Sequence, residues 1–147
     1  MILKNFCSFK EPIDFNSISY LLDRHNLKST LSSNWIGEFI LESVFKIEDV
    51  QKDFMFKEIF NLLNNTYNKE NKKSNLYIFF SFVTGNKSTT HIDDYDVYIL
   101  GLYGKTFYKI EQDEFYVEPG DLLYIPKNKL HKAVGLGPRI ILSYGIL

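Results

Sequence analysis

His91 and Asp93 stand one residue apart, and His131 follows forty residues after His91. On a strand, whose side chains alternate, His91 and Asp93 leave the same face. If that face lines an interior and a second strand brings His131 beside it, two imidazoles and a carboxylate can hold one metal ion. Such a set occupies one face of an octahedron and leaves three positions open, the arrangement that suits iron(II) chemistry with O₂ and a chelating cosubstrate. A His-x-Asp pair alone is also a frequent accident, because an Asp at a strand end is ordinarily a turn residue. The third histidine, His25, falls late in a helical pattern and reads as a partly exposed helix residue.

The elements around these residues favour the metal reading. From Leu76 onward the chain is a train of short β-type runs, at 76–83, about 88–93, 95–103, 105–110, 114–117, 121–125, 130–134 and 138–145. Gly85-Asn86, Gly104, Pro119-Gly120, Lys127-Asn128 and Gly135 to Pro138 supply the turns, with Pro119-Gly120 fitting the central pair of a type II turn. Eight close-spaced strands predict a small barrel or jelly roll rather than a parallel sheet. Before them, Asn16 or Ser17 can cap a short helix carrying Ile18, Leu21 and Leu22, and a longer helix is expected from Ile47 to about Thr66, with Val50, Phe54, Ile59, Phe60, Leu62 and Leu63 as its stripe. A strand is expected around Phe39 to Phe45. The segment 68–75 has no apolar residue and reads as an exposed loop, so 1–147 is one domain with a helical part at 1–75 and a β core at 76–147.

Composition excludes several classes. A chain of 147 residues with 45% hydrophobic and 24% charged residues is globular, and 13 Phe with 10 Tyr favour sheet. Seventeen basic against eighteen acidic residues give a net charge of −1, which leaves nucleic-acid binding unsupported. The single cysteine, Cys7, has no partner for an intrachain disulfide and reads as a small apolar filler, and a reducing, cytoplasmic setting is expected. No signal peptide is read at the N-terminus, and no apolar run approaches the ~20 residues of a membrane helix. Self-association is left open.

Two spaced patterns frame the candidate ligands. Gly85-x5-His91-x-Asp93 and Gly120-Asp121-x4-Pro126-x4-His131 resemble the two cupin motifs, in order. Asp93 replaces the second histidine of the first motif, and Val97 replaces its glutamate, which points toward the oxygenase version of that barrel. The stretch from His91 to Leu100 with Gly104-Lys105, and Glu118 to Pro126 running to His131, resemble the signatures of JmjC-type 2-oxoglutarate oxygenases, closest to the bacterial ribosomal-protein hydroxylase group. The resemblance spans roughly residues 76–147. It implies a mainly β protein, a double-stranded β-helix with N-terminal helices packed outside. It also implies that His91, Asp93 and His131 bind Fe(II), and that 2-oxoglutarate chelates the metal and is converted to succinate as O₂ is used to hydroxylate a C–H bond.

The same resemblance directs attention to the residues around the cosubstrate, namely Lys105, Thr106, Arg139, Ser143 and Ser88. The family places a cation two positions after the glycine, which is Thr106 here, while Lys105 is one position early and of the other strand parity. Either a bulge re-aims Lys105, or Arg139 substitutes; Arg139, Ile141 and Ser143 share a strand face, and Arg139 is preferred. The chain stops four residues after Ser143, so the segments that follow the barrel in the ribosomal group have no counterpart, and a ribosomal substrate is not carried over. A protein side chain, a nucleoside and a small metabolite remain as substrates. The rivals are a non-oxygenase cupin, either a metal-dependent isomerase or lyase or a small-molecule-binding module, and an interaction domain in which the histidines merely pack.

Overall fold

The structure is a computed structural model in which residues 1–25, 43–85 and 89–147 are described. A short strand β1 (Ile2–Leu3) precedes α1 (Phe15–His25); β2 (Phe45–Ile47), a 3₁₀ turn (Val50–Lys52) and α2 (Phe54–Tyr67) follow. Then come β3 (Ser74–Ser81), β4 (Asp96–Tyr103), β5 (Thr106–Ile110), β6 (Asp113–Val117), β7 (Leu122–Ile125), β8 (His131–Gly135) and β9 (Arg139–Ile146). One sheet has six strands in the order β1-β7-β4-β9-β3-β2 and the other three, β6-β5-β8, all pairs being antiparallel. This is the expected mainly β, double-stranded β-helix with helices outside. Among the described residues no helix is long and apolar enough to cross a membrane.

Strand alternation divides the core in two. Ile78, Phe80, Leu100, Ile140, Leu142 and Tyr144 pack with Ile18, Leu21, Phe56, Ile59 and Leu63, so one face of the large sheet is closed by the helices. The other face sends Val97, Ile99, Leu123, Ile125 and Ile141 against Tyr108, Ile110 and Ala133 of the small sheet. The register Tyr77↔Ser143↔Ile99 puts three inward positions in one row. Each fully buried aliphatic side chain stabilises by roughly 1.5–3 kcal/mol, and β9, with Ile140, Leu142 and Tyr144 on one face and Ile141 on the other, is the strand both cores share.

The helices depart from the sequence reading in informative ways. The cap of α1 is Asp14, not Asn16 or Ser17: its carboxylate accepts the Ser17 N–H at 3.0 Å, and Ser17 Oγ accepts the Asp14 N–H at 3.3 Å. The helix expected from Ile47 to Thr66 is broken. Ile47 pairs with Ile78 in β2, Asp49 is left-handed at φ 57°, and Asp53 is extended and caps α2 by accepting the Met55 N–H at 2.8 Å. Arg24 donates to both Asp53 carboxylate oxygens at 3.1 Å, tying α1 to this cap. The new start rotates the stripe, burying Phe56, Ile59 and Leu63 and leaving Phe54 and Leu62 exposed. Of the strand expected at 39–45, residues 39–42 lie outside the described residues, and Phe45 opens β2.

The loop after α2 is less open than its composition suggests. Asn68 is buried, donating to the Lys72 carbonyl at 2.7 Å and accepting the Lys72 N–H at 2.9 Å. At Pro119-Gly120 the sequence reading is matched: the Asp121 N–H donates to the Glu118 carbonyl at 3.0 Å, with Gly120 at φ +89°, as a Pro-Gly type II turn requires.

Candidate metal centre

Residues 89–93 do not form the strand expected at 88–93; one antiparallel bridge joins His91 to His131, with reciprocal N–H···O bonds of 3.0 and 2.9 Å. The ladder stops there because Asp93 turns to the next loop, its carbonyl accepting the Asn128 N–H at 2.7 Å, and Asn128 is left-handed at φ 62°. One bridge suffices to bring the three side chains together. Ligand atoms of His91, Asp93 and His131 all lie within 4.8 Å of one another. His91 Nε2 is 3.8 Å from Asp93 Oδ1, and His131 Nε2 is 3.5 Å from Asp93 Oδ2. Imidazole and carboxylate bonds of ~2.0–2.2 Å place neighbouring ligand atoms ~3–3.5 Å apart, so the two pairs that Asp93 makes are already close to the spacing an ion needs.

The hydrogen bonds of the rings select the atom that faces the ion. His91 Nδ1 lies 2.7 Å from the Thr89 carbonyl oxygen and His131 Nδ1 lies 2.9 Å from that of Lys129. A carbonyl can only accept, so each Nδ1 carries the proton, and a neutral ring then presents the Nε2 lone pair toward Asp93. The two rings are graded in exposure, His91 at 42% and His131 at 6%, with Asp93 at 22%. The site therefore sits at a mouth, one ligand wet and one dry. The turn beside it is braced by Asp96, whose carboxylate accepts the Tyr124 hydroxyl at 2.9 Å and the Lys127 N–H at 3.0 Å.

Behind the triad runs a cavity of about 200 Å³ lined by both sheets. Arg139, Ile141 and Ser143 of β9 line it together, as do Tyr77, Phe79 and Tyr108. Arg139 is 2% exposed; its Nε donates to Ser81 Oγ at 3.2 Å, and its Nη1 is buried without a hydrogen-bond partner among the described residues. Burial pushes the guanidinium below its ordinary pKa, opposed by Tyr108, and burial pushes the Tyr108 hydroxyl up to about 12. The Tyr108 hydroxyl therefore keeps its proton near neutral pH.

The remaining sequence candidates separate. Lys105 is turned out of the cavity: its ammonium is 3.2 Å from Glu118 and 5.1 Å from the centre of the Tyr116 ring. The pairing of β5 runs without a shift from Thr106 to Ile110, and the register shift that precedes it, in β4 between Gly101 and Tyr103, does not turn Lys105 inward; the left-handed Gly104 between them packs against Pro138. Thr106 is buried on the same face of β5 as Tyr108 but does not line the cavity. Ser88 lies outside the described residues, and so does the side chain of His25. Tyr108, Lys46 and Gly135 were missed. Tyr108 follows from the alternation of β5, whereas nothing local marks Lys46 on the edge strand or Gly135 beneath Arg139.

No protein-family model matches the chain, and no curated protein sequence does. Solved structures do. The ribosomal oxygenase YcfD of Escherichia coli in complex with cobalt and 2-oxoglutarate is 21% identical, with a TM-score of 0.75 over 100% of this chain and 47% of that one. Its complex with cobalt and succinic acid is 22% identical with a TM-score of 0.74 and the same coverage. A cupin superfamily protein of Desulfitobacterium hafniense is 16% identical, with a TM-score of 0.56 over 99% of this chain and 97% of that one. The chain thus spans about half the length of the YcfD structures. At these identities the likeness is one of fold: the chain has the cupin-like double-stranded β-helix found in a ribosomal oxygenase, with a His-Asp-His cluster where the 91–93 segment bridges to β8.

Proposed function

We propose that this chain is an Fe(II)- and 2-oxoglutarate-dependent oxygenase, acting as a hydroxylase. The observation that carries the reading is a pair of features in one cavity: three ligand atoms within 4.8 Å of one another, and a buried guanidinium with no carboxylate partner among the described residues. A buried charge left unpaired costs several kcal/mol, so a site that keeps one is built for an anion supplied by a ligand. A cupin that only binds metal, or that acts on a neutral substrate, gives no reason for that cation. The YcfD structures with 2-oxoglutarate or succinic acid add support by fold.

In this reading His91, Asp93 and His131 hold the iron. Bound there with 2-oxoglutarate, iron supplies O₂ activation coupled to decarboxylation of the cosubstrate. Arg139 pairs with the distal carboxylate through its planar fork, and Ser143 and Tyr77 offer hydroxyls along the wall. Ile141, Phe79, Val97 and Ile125 keep the remainder apolar and exclude water. The cavity of about 200 Å³ is below the ~300–1,000 Å³ of ordinary ligand sites, which leaves little room beyond the cosubstrate. The group to be hydroxylated is therefore presented from outside at the His91 mouth, which favours a protein side chain over a free metabolite. Anaerobic titration with Fe(II) and 2-oxoglutarate tests the reading: a weak visible metal-to-ligand charge-transfer band is expected, and its absence in metal-loaded protein overturns it.

A further inference from the structure

The outward residues of the small sheet stay at the surface, Leu130 and Tyr116 each 47% exposed and Leu136 42%. Alternation along 130–136 sends Leu130, Lys132, Val134 and Leu136 outward, while His131, Ala133 and Gly135 are buried. Across the sheet, Tyr116, Phe107 and Val134 make one outward row and Glu114, Lys109 and Lys132 the next. Lys109 and Lys132 are thus direct cross-strand neighbours, a placing of like charges that destabilises a sheet. Among the described residues no carboxylate forms an ion pair with either ammonium. Glu111 beside them is held by Lys129 at 3.0 and 3.1 Å, and Glu114 is exposed. A pocket of about 230 Å³ opens at this pair, lined by Thr90, Lys109, Glu111, Leu130, His131 and Lys132. His131 also lines the metal cavity, and Thr90 precedes His91, so the pocket lies against the bridge that carries two of the metal ligands.

We propose that this face docks the protein whose side chain is presented at the His91 mouth, through a segment that seats an acidic residue between Lys109 and Lys132 and lays apolar residues along Leu130, Val134 and Leu136. That the docked protein is a substrate rests on the oxygenase reading; the acidic and apolar chemistry of the segment does not. A carboxylate between the two ammoniums cancels their opposition. Along 130–136 the outward side chains recur every ~6.5–7 Å, the spacing at which an extended peptide presents its own side chains on one face. A nucleic-acid backbone fits less well, because the two unpaired cations are flanked by Glu111 and Glu114 rather than continued into a basic track.

The test is amide NMR of the full chain, titrated to millimolar with a capped peptide alternating leucine and glutamate, with its leucine-glutamine counterpart, and with an oligouridylate of equal charge. The glutamate peptide should shift the amides of Thr90, Lys109 and Lys132, less so as salt is added, and the glutamine peptide should not. Lys109→Glu and Lys132→Glu should each weaken the peptide by about tenfold or more, whereas Lys57→Glu, at an exposed position of α2, should change nothing. Lys132→Gln should bind less tightly yet melt no lower than wild type, since it relieves the like-charge pair. A lower Tm with unchanged peptide affinity would make the pair structural and overturn the proposal. So would silence at these amides, equal shifts with oligouridylate, or the same shifts on raising the concentration of the chain alone, which would mark an interface between copies. Silence in a chain that gives the charge-transfer band with Fe(II) and 2-oxoglutarate overturns the docking surface alone. Docking in a chain without the band keeps the acidic-apolar surface and removes the assignment of its partner as a substrate.

Discussion

The metal end and the guanidinium end of the cavity are assembled by opposite means. At the metal end each histidine ring is oriented by a carbonyl two residues upstream, Thr89 for His91 and Lys129 for His131, and one backbone bridge joins the two segments. At the other end Arg139 leans on Ser81, 58 residues away, over a space left by Gly135 and beside Tyr108, so four strands contribute one residue each. The first is specified by short sequence and closed by one contact; the second exists only when the sheets are stacked. Ligands set by local bonds tolerate drift elsewhere, whereas a cation held by distant strands feels every change of register.

Mutations can break that division. The largest effect is expected at the ligands: His91→Ala, Asp93→Ala or His131→Ala should each lower Mn(II) affinity by at least about 100-fold, read by electron paramagnetic resonance of free Mn(II). Next, Arg139→Ala should raise the 2-oxoglutarate Kd by roughly ten- to a thousand-fold, from the ~1.5–4 kcal/mol of a truncated charged pair, with Mn(II) affinity intact. A fall in Mn(II) affinity in that variant would mean the two ends are one coupled unit.

A smaller change sharpens the local side. Tyr124→Phe removes one of the two donors that brace Asp96, and with it part of the support for the turn that meets Asp93. Mn(II) affinity should drop severalfold, in line with ~0.5–1.5 kcal/mol for one hydrogen bond, and 2-oxoglutarate binding in metal-saturated protein should not move. The smallest effect is expected from Lys105→Ala. Its ammonium serves Glu118 at the surface, so 2-oxoglutarate titrations of this variant should overlay those of wild type.

What could be read from the sequence follows the range of the interactions. His91, Asp93 and His131, the turns at 119–120 and 127–128, and the train of strands from 76 are encoded in neighbouring residues, by alternation, by glycine and proline, and by a fixed offset between two motifs. The same local logic misled where a tertiary partner intervened. Ile47 fits a helical stripe until Ile78 draws it into a sheet, and Phe54 fits the stripe until Asp53, held by Arg24, restarts the helix and turns Phe56 inward. Residues 88–93 read as a strand, yet among the described residues 89–93 only His91 forms a bridge.

Arg139 shows the boundary most sharply. Its sequence fixes its parity, and so places it on one face with Ile141 and Ser143. That this face looks into the cavity, that Ser81 Oγ accepts the Nε hydrogen bond, that Gly135 makes room and that no carboxylate among the described residues pairs with it are consequences of packing two sheets together. Side-chain type and spacing determine which groups can act, because they are properties of the chain. Whether a charge is buried, paired or left waiting depends on the dielectric and the neighbours around it, and those arise only when distant strands meet.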